Sequence, residues 1–192
     1  MSGVRPPYLP GDRPVDRPGE VDVAAMIRVD HAGEYGAVRI YDGQLAAAQL
    51  LPWARGRACE EVRLMGEQEQ RHLAQFEALV RTRQVRPTLL QPLWHVAGFA
   101  LGAATALLGE RAAMACTVAV EEVIDEHYRD QAERLASSDP VLHDTIREFR
   151  ADELRHRAVA IEHGASQALG YELISAVVKT GSRLAIWLST RL

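Results

Sequence analysis

The sequence predicts an all-α fold, a four-helix bundle with two additional apolar or amphipathic helices, and three observations lead there. From about Val21 onward apolar residues recur at three- and four-residue steps, no stretch alternates as a half-buried strand would, and prolines and glycines cut the chain at helical lengths. The helices expected are roughly 21–51, 54–84, 93–109, 110–137, 141–167 and 171–190.

Residues 1–20 hold five of the nine prolines, at Pro6, Pro7, Pro10, Pro14 and Pro18. A proline ring fixes φ and removes a backbone donor, so this leader reads as a mobile tail, and 21–192 as one domain. Further along, Pro52 separates the first two helices, Pro87 and Pro92 flank the third, and Ser137-Ser138-Asp139-Pro140 forms a turn. Gly170 stands at the last break as a residue suited to ending a helix. Four of the segments are long and amphipathic, which is the pattern of a bundle.

The third and sixth segments differ from the other four. Leu93 to Leu108 carries no formal charge with His95 neutral, yet is too short to span a bilayer. In the last segment Ile174, Val177, Val178, Gly181, Leu184, Ala185 and Leu188 share one face, opposite Lys179 and Arg183. Two readings stand side by side: both segments pack as core helices, or both dock their apolar faces at a membrane interface.

Composition narrows the function classes. Apolar and charged fractions of 47% and 25% are those of a globular protein, and a net charge of −4 without a Lys/Arg cluster excludes a nucleic-acid footprint. Lys179 is the only lysine. Cys59 and Cys116 lack the paired spacing of a thiolate zinc site or a disulfide framework and read as structural thiols in a reducing compartment. No charged-then-apolar signal segment opens the chain, so export is not expected.

The chemistry lies in Glu69-Gln70-Arg71-His72 and Glu153-Leu154-Arg155-His156, two Glu-x-x-His pairs. A three-residue step turns a helix by about 300°, so each pair sits on one face and offers a carboxylate and an imidazole to one ion. With 16 glutamates and seven histidines in the chain, chance supplies on the order of one such pair, and a lone match means little. Here the surroundings matter more. Glu69 shares its face with Val62, Met65, Leu73 and Phe76, and Glu153 with Ile146, Phe149 and Ala160, whereas Glu67 neighbours Glu60, Arg63 and Arg71. A carboxylate on an apolar face is destabilising unless it is paired or binds metal.

Two further glutamates complete a set. Glu34 lies among Ile27, Ala37, Val38 and Tyr41; Glu121 lies among Met114, Val118, Ile124 and Tyr128, while Glu122 looks toward Arg129 and Glu126. The order Glu, Glu-x-x-His, Glu, Glu-x-x-His suggests two helix pairs related by an internal pseudo-repeat, and it is the ligand set of di-iron and di-manganese carboxylate bundles. Four carboxylates balance two divalent cations, and oxygen and imidazole donors without thiolate suit iron or manganese. Bridging glutamates would hold the ions about 3.5–4 Å apart. Asp30, Asp125 and Asp152 are available to accept the second ring N–H of His72 and His156.

The segments Ile27-Arg28-Val29-Asp30-His31-Ala32-Gly33-Glu34-Tyr35-Gly36-Ala37, Arg86-Pro87-Thr88, Pro92-Leu93-Trp94, Thr105-Ala106-Leu107-Leu108-Gly109 and Ala113-Met114-Ala115-Cys116-Thr117-Val118-Ala119-Val120-Glu121-Glu122, with the closing Glu-x-x-His, resemble the demethoxyubiquinone hydroxylases of ubiquinone biosynthesis. The resemblance runs from about Val21 to the end of the chain. It implies a ferritin-like fold and two iron ions held by Glu34, Glu69, His72, Glu121, Glu153 and His156. It implies a di-iron monooxygenase that uses dioxygen to hydroxylate the ring of a 2-polyprenyl-3-methyl-6-methoxy-1,4-benzoquinol. It also implies a peripheral position on the cytoplasmic face of the inner cell membrane, partner proteins of the same biosynthesis, and NADH as the external reductant. The sequence has no Gly-x-Gly-x-x-Gly dinucleotide fold of its own, so electrons are expected from outside. His127 and Tyr128 are expected to contact the ring, to transfer protons and electrons, or to pack behind the ligands. Iron storage would use the same ligands, but an uncharged 93–109 segment suits the outside of a storage shell poorly.

Overall fold

In a computed structural model of the chain the described residues are 22–192, and the proline-rich leader expected at 1–20 lies outside them. Six helices are present: α1 (Val23–Ala48), α2 (Arg57–Thr82), α3 (Gln91–Leu107), α4 (Glu110–Leu135), α5 (Pro140–Glu162) and α6 (Tyr171–Arg191). Among the described residues there is no strand.

The ends follow local chemistry. Asp22 caps α1 by accepting from Ala25 N at 2.8 Å, and Asp139 caps α5 by accepting from Leu142 N at 3.1 Å, with Pro140 at the first helical position. Two boundaries differ from the sequence expectation. Pro52 starts a short 3-10 turn, Pro52–Arg55, so α2 begins at Arg57. Gly164 takes a left-handed φ of 80°, which stops α5 at Glu162 and leaves Ala165–Gln167 as another 3-10 turn. Gly170, also left-handed, falls just before α6.

Helices α1, α2, α4 and α5 form the bundle. One apolar cluster gathers Tyr41, Val62, Met65, Met114, Val118 and Ala160; a second gathers Ile27, Phe76, Tyr128, Ile146 and Phe149. On each of the four helices the inward Glu and His lie in sequence between these two clusters, so a polar band is sealed by apolar core above and below.

The outer helices are set differently. α3 lies against α1 at backbone contact: a Cβ on Gly102 would stand 1.9 Å from Ile40 O, and one on Gly43 2.1 Å from Phe99 O. Only glycine permits that approach. α6 packs on α4 and α1, and its last turn is fastened where Arg28 donates to Thr190 O, Arg86 to Leu192 O, and Trp94 Nε1 to Ser189 Oγ. Each buries one face, with Ala106 of α3 and Val178 of α6 in the core, and leaves another face open. Val96 and Leu107 on α3 are 64% and 57% exposed, Leu173 and Val177 on α6 70% and 58%. Cys116 is buried, whereas Cys59 is only partly so.

Candidate metal centre

Glu34 comes from α1, Glu69 and His72 from α2, Glu121 from α4, and Glu153 and His156 from α5. All six are buried. They form two overlapping quartets: one ligand atom from each of Glu34, Glu69, His72 and Glu153, and one from each of Glu69, Glu121, Glu153 and His156, lie within 4.8 Å of one another. Glu69 and Glu153 belong to both. Glu67, by contrast, is exposed beside Arg63, and Glu122 pairs with Arg157 and Lys179 rather than facing Arg129.

The supporting contacts obey an internal pseudo-twofold. His72 Nε2 meets Asp152 Oδ2 at 3.0 Å, and His156 Nε2 meets Gln68 Oε1 at 3.3 Å; each acceptor directly precedes the glutamate of the opposite Glu-x-x-His pair. With Nε2–H donated outward, Nδ1 of both rings faces the carboxylates. Of the three aspartates available by sequence, Asp152 takes this role; Asp30 accepts from His127 and Gln131, and Asp125 from Arg150. Tyr41 and Tyr128 stand seven residues after Glu34 and Glu121, on the same helix face, yet each reaches across: Tyr41 donates to Glu121 at 3.1 Å and Tyr128 to Glu34. The His72 ring also stacks on Phe149, with centroids 3.9 Å apart.

The donors fit a pair of divalent ions. Glu34 Oε2, Glu69 Oε1, His72 Nδ1 and Glu153 Oε1 are buried without a hydrogen-bond partner. His72 Nδ1 lies only 3.2 Å from Glu153 Oε1, so the lone pairs converge on common points rather than on each other. Charge says the same. Burial and repulsion from Glu153 push the Glu69 and Glu121 carboxyls well up from the ordinary range. Burial would also raise Glu153, but the two imidazoles outweigh it and hold the group down to about 2. Burial alone would depress the histidines; neighbouring carboxylates lift His72 to about 10 and His156 to about 9. The upward directions favour the protonated groups in the absence of metal, and metal binding would release protons.

An apolar tunnel of about 350 Å³ runs between α3 and α6 over the faces of α1 and α4, past Trp94, Leu101, Ile124, Val178 and Leu184. Three of its lining residues, Ala37, Ile40 and Val120, also line a void of about 10 Å³ reached by Tyr41, Thr117 and Glu121. The two spaces share a wall, and Glu121 of the second quartet lines the smaller one. Tyr128 and His127 line neither space. Gln68 and Tyr41 have site contacts that the sequence did not reveal, and Thr117 lines the void beside Glu121; for Tyr41 the seven-residue step shared with Tyr128 was the available signal.

Known proteins resemble this chain over most of its length. The family described as "Ubiquinone biosynthesis protein COQ7" matches residues 21–189. The chain is 54% identical to a 3-demethoxyubiquinol 3-hydroxylase of Rhodospirillum rubrum, over 91% of this chain and 82% of that one. It is 49% identical to an NADPH-dependent 3-demethoxyubiquinone 3-hydroxylase, mitochondrial, of Dictyostelium discoideum, over 88% of this chain and 77% of the relative. The Homo sapiens protein of the same name is 46% identical, over 93% and 82%. With a family match across nearly all the described residues and relatives this similar, the chain belongs to the COQ7 family of ubiquinone biosynthesis proteins.

Proposed function

We propose that this chain hydroxylates the ring of a demethoxyubiquinol, a 2-polyprenyl-3-methyl-6-methoxy-1,4-benzoquinol, using dioxygen at two iron ions held by Glu34, Glu69, His72, Glu121, Glu153 and His156. The observation that carries this is the pair of overlapping quartets, joined through Glu69 and Glu153, with Glu121 lining a void that shares a wall with an apolar tunnel. Residues 21–192 act as one hydroxylase domain.

The iron pair, when bound, supplies the activation of dioxygen. The chain's residues do the rest. Glu69 and Glu153 would serve both ions, while Glu34 and Glu121 would serve one each and are held by Tyr128 and Tyr41. Asp152 and Gln68 fix the imidazole tautomers. The tunnel admits a ring and the first units of an isoprenoid tail while keeping water from the reacting carbon. Tyr128 holds a proton at Glu34 through its bond to that carboxylate, and His127 holds one at Asp30 one turn away, so both can pass protons toward the centre.

No helix among the described residues is long and apolar enough to cross a membrane. The exposed apolar residues of α3 and α6 flank the tunnel and suit docking at a bilayer surface, the cytoplasmic face of the inner cell membrane, where a long-tailed substrate resides. Partner proteins of the same biosynthesis are proposed on the family's account alone. Electrons come from a reduced nicotinamide nucleotide, NADH by the family resemblance and NADPH by the names of the mitochondrial relatives.

The test supplies iron-loaded protein with a short-tailed demethoxyquinone, NADH or NADPH, and ¹⁸O₂. The product should carry one ¹⁸O atom on the ring. Iron-loaded protein that consumes no dioxygen with the reduced quinol would overturn the proposal.

A further inference from the structure

Two positions related by the pseudo-twofold are used differently. Asp30 stands four residues before Glu34, and Thr117 four before Glu121. Asp30 Oδ1 meets His127 Nε2 at 3.0 Å and accepts from Gln131 Nε2 at 2.8 Å. On the other side of the centre, Ile40 stands in the place of His127, since each directly precedes its tyrosine. Gln44, the mate of Gln131, donates to Ala113 O at 3.1 Å instead of reaching Thr117. One side of the centre is thus filled with polar contacts, and the other is left open.

A buried polar residue borders that side. Thr117 is 2% exposed and its hydroxyl has no partner. A threonine inside a helix commonly donates to the carbonyl four residues back, as Thr82, Thr105, Thr145 and Thr190 all do here. For Thr117 that carbonyl is Ala113 O, which already accepts the helical N–H and the Gln44 amide. The hydroxyl therefore lacks its usual acceptor. Thr117 is one of the residues lining the 10 Å³ void, with Ala37, Ile40, Tyr41, Val120 and Glu121. Such a void has room for about one water-sized group and none for a ring. The other hydroxyl in its wall, that of Tyr41, is committed to Glu121.

We propose that Thr117 positions the substrate: its hydroxyl hydrogen-bonds one ring oxygen of the quinol, the single atom that the void admits, when the ring lodges against Ala37, Ile40 and Val120. That bond sets which ring carbon is turned toward Glu121. The inference rests on the hydroxylase reading above, and a distinct result separates the two.

The probe is 2-prenyl-3-methyl-6-methoxy-1,4-benzoquinone, added without oxygen or reductant to iron-loaded protein and followed by quenching of tryptophan fluorescence, since Trp94 lines the tunnel. Thr117→Val keeps the shape and removes the hydroxyl; Thr117→Ser keeps the hydroxyl. Thr117→Val should weaken binding about three- to tenfold and Thr117→Ser less than about twofold, with iron content and unfolding temperature unchanged. One quinone carbonyl stretch should shift to lower frequency in the wild type and in Thr117→Ser, but not in Thr117→Val. Equal binding by Thr117→Val, or unshifted carbonyls in the bound wild-type complex, overturns the inference. If Thr117→Val does not fold, the spectra of the wild type and Thr117→Ser decide alone. If the wild type binds no quinone at all, the hydroxylase reading falls, and this inference with it.

Discussion

The hydroxyl of Tyr41, on α1, donates at 3.1 Å to Glu121 on α4, across the bundle from the glutamate of its own helix. Tyr128 answers in the opposite sense, from α4 to Glu34. Each terminal carboxylate is therefore held by the helix facing it, which ties the positions of α1 and α4 to the centre between them.

Removing either tyrosine hydroxyl should loosen one carboxylate without unfolding the bundle. For Tyr41→Phe or Tyr128→Phe, iron affinity measured by chelator competition should fall about 10- to 100-fold. Wild-type affinity in both would show that the hydroxyls do not support the metal site.

The shared and terminal glutamates should separate by stoichiometry. Glu153→Ala or Glu69→Ala removes a donor common to both quartets and should abolish binding of both ions. Glu34→Ala or Glu121→Ala removes one donor from one quartet and should leave the other site occupied. Elemental analysis after desalting checks this, and equal losses from all four variants would contradict the division of roles.

Much of this was legible in the sequence because burial and helical period leave few choices. Glu34, Glu69, Glu121 and Glu153 each sit at three-, four- and seven-residue steps from apolar residues, so their inward direction follows from the helix alone. What supports them was harder to read. Gln68 and Asp152 occupy equivalent positions but are an amide and a carboxylate, and their partners lie on other helices. Thr117 looks like any small core residue until Gln44 is seen on Ala113 O. The tunnel depends on the separation of α3 and α6, which helical period does not set.

The glycines between α1 and α3 should behave unequally to one on α6. Gly102→Ala drives a Cβ into Ile40 O and should destabilise the fold by about 1–3 kcal/mol. Gly181→Ala meets nothing within 4 Å and should stabilise the fold by about 0.5–1 kcal/mol, as alanine favours a helix interior. Urea unfolding of the two variants measures the contrast; a neutral Gly102→Ala would mean that α3 lies farther from α1.

Acid should weaken one helix end in a defined window. Hydrogen bonding from Arg83, set against a smaller effect of burial and aided by the Leu142 N–H, lowers the Asp139 carboxyl below its ordinary 3.8. A depressed folded-state value stabilises the fold above pH 3.8, and that contribution fades as pH falls through the lower folded value. The advantage of wild type over Asp139→Asn should therefore be constant near neutral pH and shrink below pH 3.8. Unfolding free energies measured across pH 2.5–7 test this, and an advantage that grows with acid would reverse the sign.

The most direct test of the centre itself is anomalous scattering at the iron edge from crystals of iron-loaded protein. The account predicts two peaks, one among Glu34, Glu69, His72 and Glu153 and one among Glu69, Glu121, Glu153 and His156. A single peak, or iron bound only elsewhere on the chain, would contradict it.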